Sequence, residues 1–263
     1  MSAEWKGKRA LVTGASAGIG KALAEELARG GTNLVLTARR EDRLRALAQK
    51  LSTKHRIHAD VFVADLAQPA APKAIFQFTQ ENGLPIDLLV NNAGFGQYGP
   101  LHTTEIDRLL QMVQVNCTAV LHLTRLFVPA MVARRSGYVL IVASTAAFQA
   151  VPYISTYAAA KVFDLYLAEG LAEELQPHGI RVCALCPGTT TSEFHEMAGH
   201  PSHSKGREQS ADTVARNGLK ALAAGKSYVI SGLGNYLGAH GERLVPRRFV
   251  TRIAAKMFRP ANP

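Results

Sequence analysis

A short apolar run, Arg9–Thr13, passes straight into Thr13-Gly-Ala-Ser-Ala-Gly-Ile-Gly20, and an amphipathic stretch follows from Gly18 to Arg29. No other feature restricts the fold as much. A strand that turns on glycine directly into a helix leaves the first N–H groups of that helix without partners. Those donors and the helix dipole favour an anion. Gly14 permits the tight turn, and Gly18 and Gly20 let phosphate oxygens approach the backbone. Ser16, Ala17 and Ile19 complete the loop. Placed after a first strand and before a first helix, the loop reads as a nucleotide site.

The same alternation continues along the chain. Apolar runs at 9–13, 33–37, 57–63, 86–91, 137–144, 180–186 and 227–231 predict strands. Amphipathic segments at 18–29, 42–52, 69–81, 104–134, 155–176 and 211–224 predict helices. Continuously apolar strands separated by helices argue for a parallel sheet covered on both faces. Right-handed crossovers make this a doubly wound, Rossmann-type α/β fold of about seven strands, with ligands at the carboxyl ends of the strands. With 263 residues, 47% of them apolar, the chain is expected to form one domain spanning 1–263. Two stretches break the rhythm. Residues 187–210 are long for a connection and read as a substrate lid, and 233–263 reads as a basic C-terminal extension.

The net charge of +10 is concentrated late in the chain, at Arg243, Arg247, Arg248, Arg252, Lys256 and Arg259, so no nucleic-acid groove is expected. Three cysteines make no disulfide framework and fit a reducing cytoplasm. Cys183 and Cys186 form a C-x-x-C, but on a strand residues three apart point to opposite faces, which argues against a shared metal or redox site. The charges at the N-terminus precede no apolar region, so no signal peptide is expected. No apolar run reaches the length of ~18 residues that spans a bilayer.

Two further groups of residues carry chemistry. The second strand ends in Thr37-Ala38-Arg39-Arg40, with no carboxylate before Glu41. A carboxylate there would repel a ribose 2′-phosphate, whereas a guanidinium pairs with one, so the chain is expected to bind NADP(H), mainly through Arg39. The segment from Ser144 to Lys161 places Tyr157 and Lys161 four apart on a helix, hence on one face. An ammonium beside a phenol favours the phenolate, which suits an acid/base working near neutral pH. Asn116 falls inside the long helix 104–134, where asparagine competes for backbone hydrogen bonds.

Taken in order, T-G-A-S-A-G-I-G at 13–20, N-N-A-G at 91–94, Asn116, Ser144, Y-A-A-A-K at 157–161 and P-G at 187–188 resemble the short-chain dehydrogenase/reductase family over residues 7–232. The resemblance implies that Tyr157 is the general acid in carbonyl reduction and the base in reverse. Lys161 would lower its pKa and hold the nicotinamide ribose. Ser144 would stabilise the substrate oxygen, and Asn116 would hold a water that relays protons to Lys161. Asp65, Leu66, Asn92, Ala93 and Gly94 would flank the adenosine half of the cofactor. Beyond Pro187 and Gly188, Thr190 and Ser192 would meet the nicotinamide end.

Substrate-facing positions are expected at Phe95, Tyr98, Phe148, Tyr153 and Phe194, with Gln97, Gln149, Val151 and Met197 nearby. This lining suits a hydrophobic carbonyl or alcohol. A 3-oxoacyl thioester is the alternative substrate, although no particular arginine is placed near the pocket. A catalytically silent NADP(H)-binding sensor is the alternative of another class. His195, His200 and His203 read as solvated lid residues rather than metal ligands. In the tail, Phe249, Val250, Ile253, Ala254 and Met257 share one side of a helix, with basic residues on the other. Such a helix packs on its own domain or a partner subunit, or lies on an anionic membrane surface. A homodimer through the two long helices is expected.

Overall fold

The computed structural model describes residues 2–191, 193 and 208–260. Seven parallel strands form one sheet in the order β3-β2-β1-β4-β5-β6-β7. They are β1 (Arg9–Thr13), β2 (Asn33–Ala38), β3 (Ala59–Val63), β4 (Leu88–Asn91), β5 (Gly137–Val142), β6 (Ile180–Cys186) and β7 (Tyr228–Ile230). The order reverses at β1, whose two neighbours are β2 and β4. The loops leaving β1 and β4 therefore part to opposite sides, and a crevice opens at their carboxyl ends.

Each strand alternates its side chains between two cores. Val12, Leu36, Leu140, Cys183 and Leu185 pack on one face, with Trp5 of the short N-terminal helix α1 (Ser2–Trp5) and residues of α2 (Gly18–Arg29), α3 (Glu41–His55) and the later helix Ala211–Ala223. Leu11, Val35, Val139, Ile141 and Cys186 pack on the other, with α4 (Ala71–Glu81) and the long helices between β4 and β6. Cys183 and Cys186 thus lie in different cores on opposite sides of the sheet. The period of two along an extended chain enforces that separation.

The single helix expected over 104–134 is divided. An α-helix, α5 (Ile106–Val113), opens into a π-helical turn at Gln114–Thr118 and resumes as α6 (Ala119–Ala133). The π turn widens the helix by one residue, and Asn116 sits at its centre, fully buried. The sequence reading of this region also needs correction on length. Ile106–Ala133, 28 residues with an 18-residue window of mean hydropathy 1.4, is long and apolar enough to cross a membrane by length and composition. Val115, Leu123, Phe127 and Met131 on its inner side belong to the core.

After β5 come a single 3₁₀ turn, Thr145–Phe148, and α7 (Ser155–Leu175). The helix Ala211–Ala223, α8, precedes β7 and is capped by Ser210, whose Oγ accepts from the Thr213 N–H at 3.3 Å. The tail adds two helices, α9 (Leu233–Gly241) and α10 (Arg247–Phe258). Helix α10 docks on its own chain: Ala254 is buried with Val151 and Ala158, and Phe258 packs beside them. Phe249, Ile253 and Met257 remain exposed on it.

Candidate active site

At the crevice the end of β1 and the end of β4 are stitched together. The Thr13 hydroxyl accepts the N–H groups of Asn92 (2.9 Å) and Ala93 (3.0 Å), and the Asn92 amide donates to the Thr13 carbonyl at 2.8 Å. This leaves no room for side chains in the turn. A Cβ on Gly14 would fall 2.8 Å from the Asn92 amide nitrogen, and one on Gly20 would fall 2.4 Å from the Gly14 carbonyl oxygen. Gly14 and Gly18 also adopt φ of +66° and +53°, which favours glycine. Helix α2 begins at Gly18 after Ala17, which supplies no side-chain cap. Its first N–H groups therefore meet the cleft as free donors among the described residues. A cradle a Cβ would fill, beside an uncapped helix start, fits the pyrophosphate of a dinucleotide.

The cleft, about 480 Å³, runs from this turn across the sheet. Gly14, Ser16, Ala17, Gly18, Ile19, Gly20, Arg39, Asp65, Leu66, Asn92, Ala93, Gly94, Ser144, Tyr157, Lys161, Pro187, Gly188 and Thr190 line it, bringing most of the expected site residues together. Asp65 also accepts the Ala67 N–H at 3.0 Å, and so shapes the turn after β3.

At the chemical end, β5 carries Ser144 into the cleft just before its 3₁₀ turn, where Oγ accepts the Ala146 N–H at 3.1 Å. Helix α7 starts at Ser155, and its first two turns present Tyr157 and Lys161. The Lys161 ammonium stands 5.8 Å from the centre of the Tyr157 ring. Burial pushes the Tyr157 phenol up; Lys161 and the hydrogen bond with Ser144 pull it back, and the net direction is upward. The phenol is therefore protonated at neutral pH, poised as an acid. For Lys161, burial pulls the pKa down, but the Asp164 carboxylate above all outweighs it, and the net direction is upward, so the side chain is an ammonium.

Asn116 lies behind the cleft lining. Its carbonyl oxygen accepts the Phe95 N–H at 3.1 Å, and its amide donates to the Phe95 carbonyl at 2.9 Å. It fixes the loop after β4 against the π turn, and a Cβ on Gly94 would fall 3.5 Å from the Lys161 Nζ. A Cβ there would also fall 3.1 Å from the Asn116 Oδ1, so the glycine eases that contact.

Among the described residues expected to face the substrate, only Phe95 lines the cleft. Tyr98 turns away and donates its hydroxyl to the Phe258 carbonyl at 2.9 Å. Phe148 packs towards Tyr228 and His240, with ring centroids 6.2 and 6.3 Å away. Tyr153 takes φ +68° at a turn, and its carbonyl accepts the Gly99 N–H at 2.8 Å. Ser192, Phe194 and the histidines at 195, 200 and 203 lie outside the described residues. Sequence reasoning missed Arg108, Gln111, Val115, Ile154, Glu193 and Phe258, which line the cleft. The helical register of the tail could have found Phe258, which lies four residues beyond Ala254. Arg108, packed over the Phe95 ring at 4.0 Å, places a cation at the substrate end where none was expected.

Comparison with known proteins agrees with this geometry. The family model for short chain dehydrogenase matches residues 8–201. A very-long-chain 3-oxoacyl-CoA reductase of Aspergillus clavatus is 35% identical over 179 residues, covering 67% of this chain and 52% of that protein. The chain thus spans about half the length of such relatives. A short-chain dehydrogenase from Sphingobium yanoikuyae, solved in complex with NADPH, superposes with a TM-score of 0.83 at 30% identity, covering 97% of this chain and 98% of that one. A 7β-hydroxysteroid dehydrogenase structure superposes with a TM-score of 0.87 at 26% identity, covering 96% and 98%. With the glycine turn, the serine and the tyrosine–lysine pair in one cleft, and the family model matched over most of its length, this chain belongs to the short chain dehydrogenase family.

Proposed function

We propose that the protein is an NADP(H)-dependent oxidoreductase that interconverts a carbonyl and a secondary alcohol on a hydrophobic small molecule. The observation that carries this reading is the convergence of Ser144, Tyr157 and Lys161 in the cleft that begins at the uncapped start of α2. The bound nicotinamide supplies or accepts the hydride. The chain's own residues manage charge and protons. Ser144 donates to the substrate oxygen and stabilises negative charge developing there. Tyr157, kept protonated by burial, delivers its proton to that oxygen during reduction. Lys161 stabilises the phenolate left behind. In the oxidative direction the phenolate is the required form, so oxidation is favoured by rising pH.

Preference for the 2′-phosphate rests on Arg39, which is exposed at the cleft and has no ion pair among the described residues, and on Arg40 beside it. The NADPH complex of the Sphingobium relative supports this preference. The 3-oxoacyl thioester remains a second reading on two observations: the names of the fungal relatives, and Arg108, which can meet a carrier phosphate at the substrate end. The exposed Ile106, Leu110, Val113 and Leu121 on α5 and α6, with Tyr166 on α7, form the face through which two copies pair. Light scattering should give twice the chain mass, and Leu110→Asp should return it to one.

The reading is tested by following NADPH oxidation with bulky ketones, steroid ketones and 3-oxoacyl thioesters. At least one class should turn over, and Tyr157→Phe should lower that rate roughly 10²–10⁴-fold. Equal rates for the two proteins on every active substrate would sink the acid/base assignment.

A further inference from the structure

Asp164 touches neither substrate nor cofactor in the chemistry described above and meets it only through Lys161, yet among the described residues it is one of the most deeply buried charged groups, with a side chain 1% exposed. It lies one helical turn beyond Lys161 on α7, and its Oδ2 accepts the Lys161 ammonium at 2.9 Å. The same ammonium donates to the Val142 carbonyl, at the end of β5, at 2.7 Å. An ammonium has three N–H donors. Two are taken by these inward acceptors, which leaves one for the cleft that Lys161 lines. The second carboxylate oxygen, Oδ1, is buried and has no hydrogen-bond partner. The carboxylate is therefore committed to Lys161 alone among hydrogen-bond donors.

We propose that Asp164 is a positioning residue that keeps Lys161 charged and aims its remaining N–H into the cleft. The inference rests on the tyrosine–lysine reading of the site and adds to it the group that makes a buried ammonium tenable. A lysine taken out of water without a counter-charge gives up its proton. The other ionisable groups around it do not replace Asp164. Tyr157 faces Lys161 from the same helix and is neutral at neutral pH. Cys117, from the π turn, is held as a thiol by burial, its pKa pushed up to about 11. Cys186, from β6, is likewise raised by burial. Asp164 is the one carboxylate that bonds the ammonium directly among the described residues.

Lysine side-chain NMR on protein labelled with ¹³C and ¹⁵N at lysine tests this without any substrate. The Lys161 signal is assigned by its loss in Lys161→Met. In the wild type it should titrate above an ordinary lysine. In Asp164→Asn, which keeps the shape and an acceptor oxygen but removes the charge, the midpoint should fall by roughly one pH unit or more. Asp164→Glu, which restores the charge, should recover most of the shift. Should Asp164→Asn fail to fold, Asp164→Ser is carried through the same titration. A midpoint in the uncharged variant equal to or above that of the wild type overturns the proposal. Because the titration needs no turnover, it is distinct from the reading it rests on. Equal activity of wild type and Tyr157→Phe defeats the acid/base assignment, whereas a Tyr157-dependent enzyme with an unmoved Lys161 midpoint defeats only the role of Asp164.

Discussion

At the end of β2, Arg39 is exposed while its neighbour Arg40 is half-buried and already engaged. The Arg40 guanidinium donates to the Ser16 hydroxyl at 3.2 and 3.1 Å and to Glu193 at 2.6 Å. Arg43, from the first turn of α3, reaches the other oxygen of Glu193 at 2.6 Å. Those hydrogen bonds hold the Glu193 carboxyl below the usual carboxylate range, so it is ionised at neutral pH. The contact is present above that range and is lost as pH falls through the lowered value. Arg39→Asp should weaken NADPH binding by roughly 1.5–3 kcal/mol, the worth of one charge-assisted contact, and NADH binding much less. Glu193→Gln removes an anion from the mouth of the cleft and should tighten NADPH relative to NADH. Calorimetric titration of the two cofactors checks both; equal changes would place the 2′-phosphate elsewhere. Sequence alone identified a cationic end to β2 because a missing carboxylate is visible in one line of text. It favoured Arg39 of the two, but it gave no sign that Arg40 is already engaged, because its partner Glu193 lies 153 residues away.

The helices were harder to read than the strands at the one place where their geometry is irregular. A buried strand declares itself by a continuous apolar run, and β6 matches its expected bounds at both ends. A π turn inserts one residue into an otherwise ordinary helical pattern, so 104–134 looked like a single amphipathic helix. The signal present in the sequence was Asn116, a poor interior helix residue that became explicable once its side chain was seen to bond both backbone groups of Phe95. Replacing it with leucine would leave that partly buried N–H and carbonyl unpaired and overfill the widened turn. Asn116→Leu should therefore cost about 2–4 kcal/mol of stability, from two lost bonds at about 1–2 each. Urea denaturation measures this loss, and an Asn116→Leu protein as stable as the wild type would show that the loop is held by other means. The tail was legible as a helix but not as part of the cleft. Its amphipathic register was plain, whereas the contact of the Phe258 carbonyl with Tyr98 joins residues 160 positions apart.

Across the whole molecule, local pattern specified the sheet and the glycine turn, while the substrate end depends on packing between distant segments, which no single stretch of sequence displays. The C-x-x-C shows how the sheet itself gives two ordinary residues a measurable behaviour. Parallel strands covered on both faces bury Cys183 and Cys186 completely, one in each core. Burial pushes the Cys183 thiol up to about 12 and raises Cys186 as well. In the unfolded chain both thiols lose their protons above about pH 8.5. Between that pH and their native values the folded state binds more protons than the unfolded state, so stability falls as pH rises. The slope is about 1.4 kcal/mol per pH unit for each thiol that titrates only on unfolding. Above about pH 10 the raised tyrosines, Tyr157 and Tyr138, steepen the decline in the same direction. Cys183→Ala with Cys186→Ala lowers stability by a constant amount at every pH but removes two of the titrating groups. Its stability should therefore decline more gently than that of the wild type between about pH 8.5 and 10, with Cys117, whose thiol burial raises to about 11, keeping part of the slope, and the difference in slope persists above about pH 10. Urea midpoints measured across the interval decide the matter: parallel curves would mean that these thiols ionise in the folded protein, and hence that the two cores are open to water at β6.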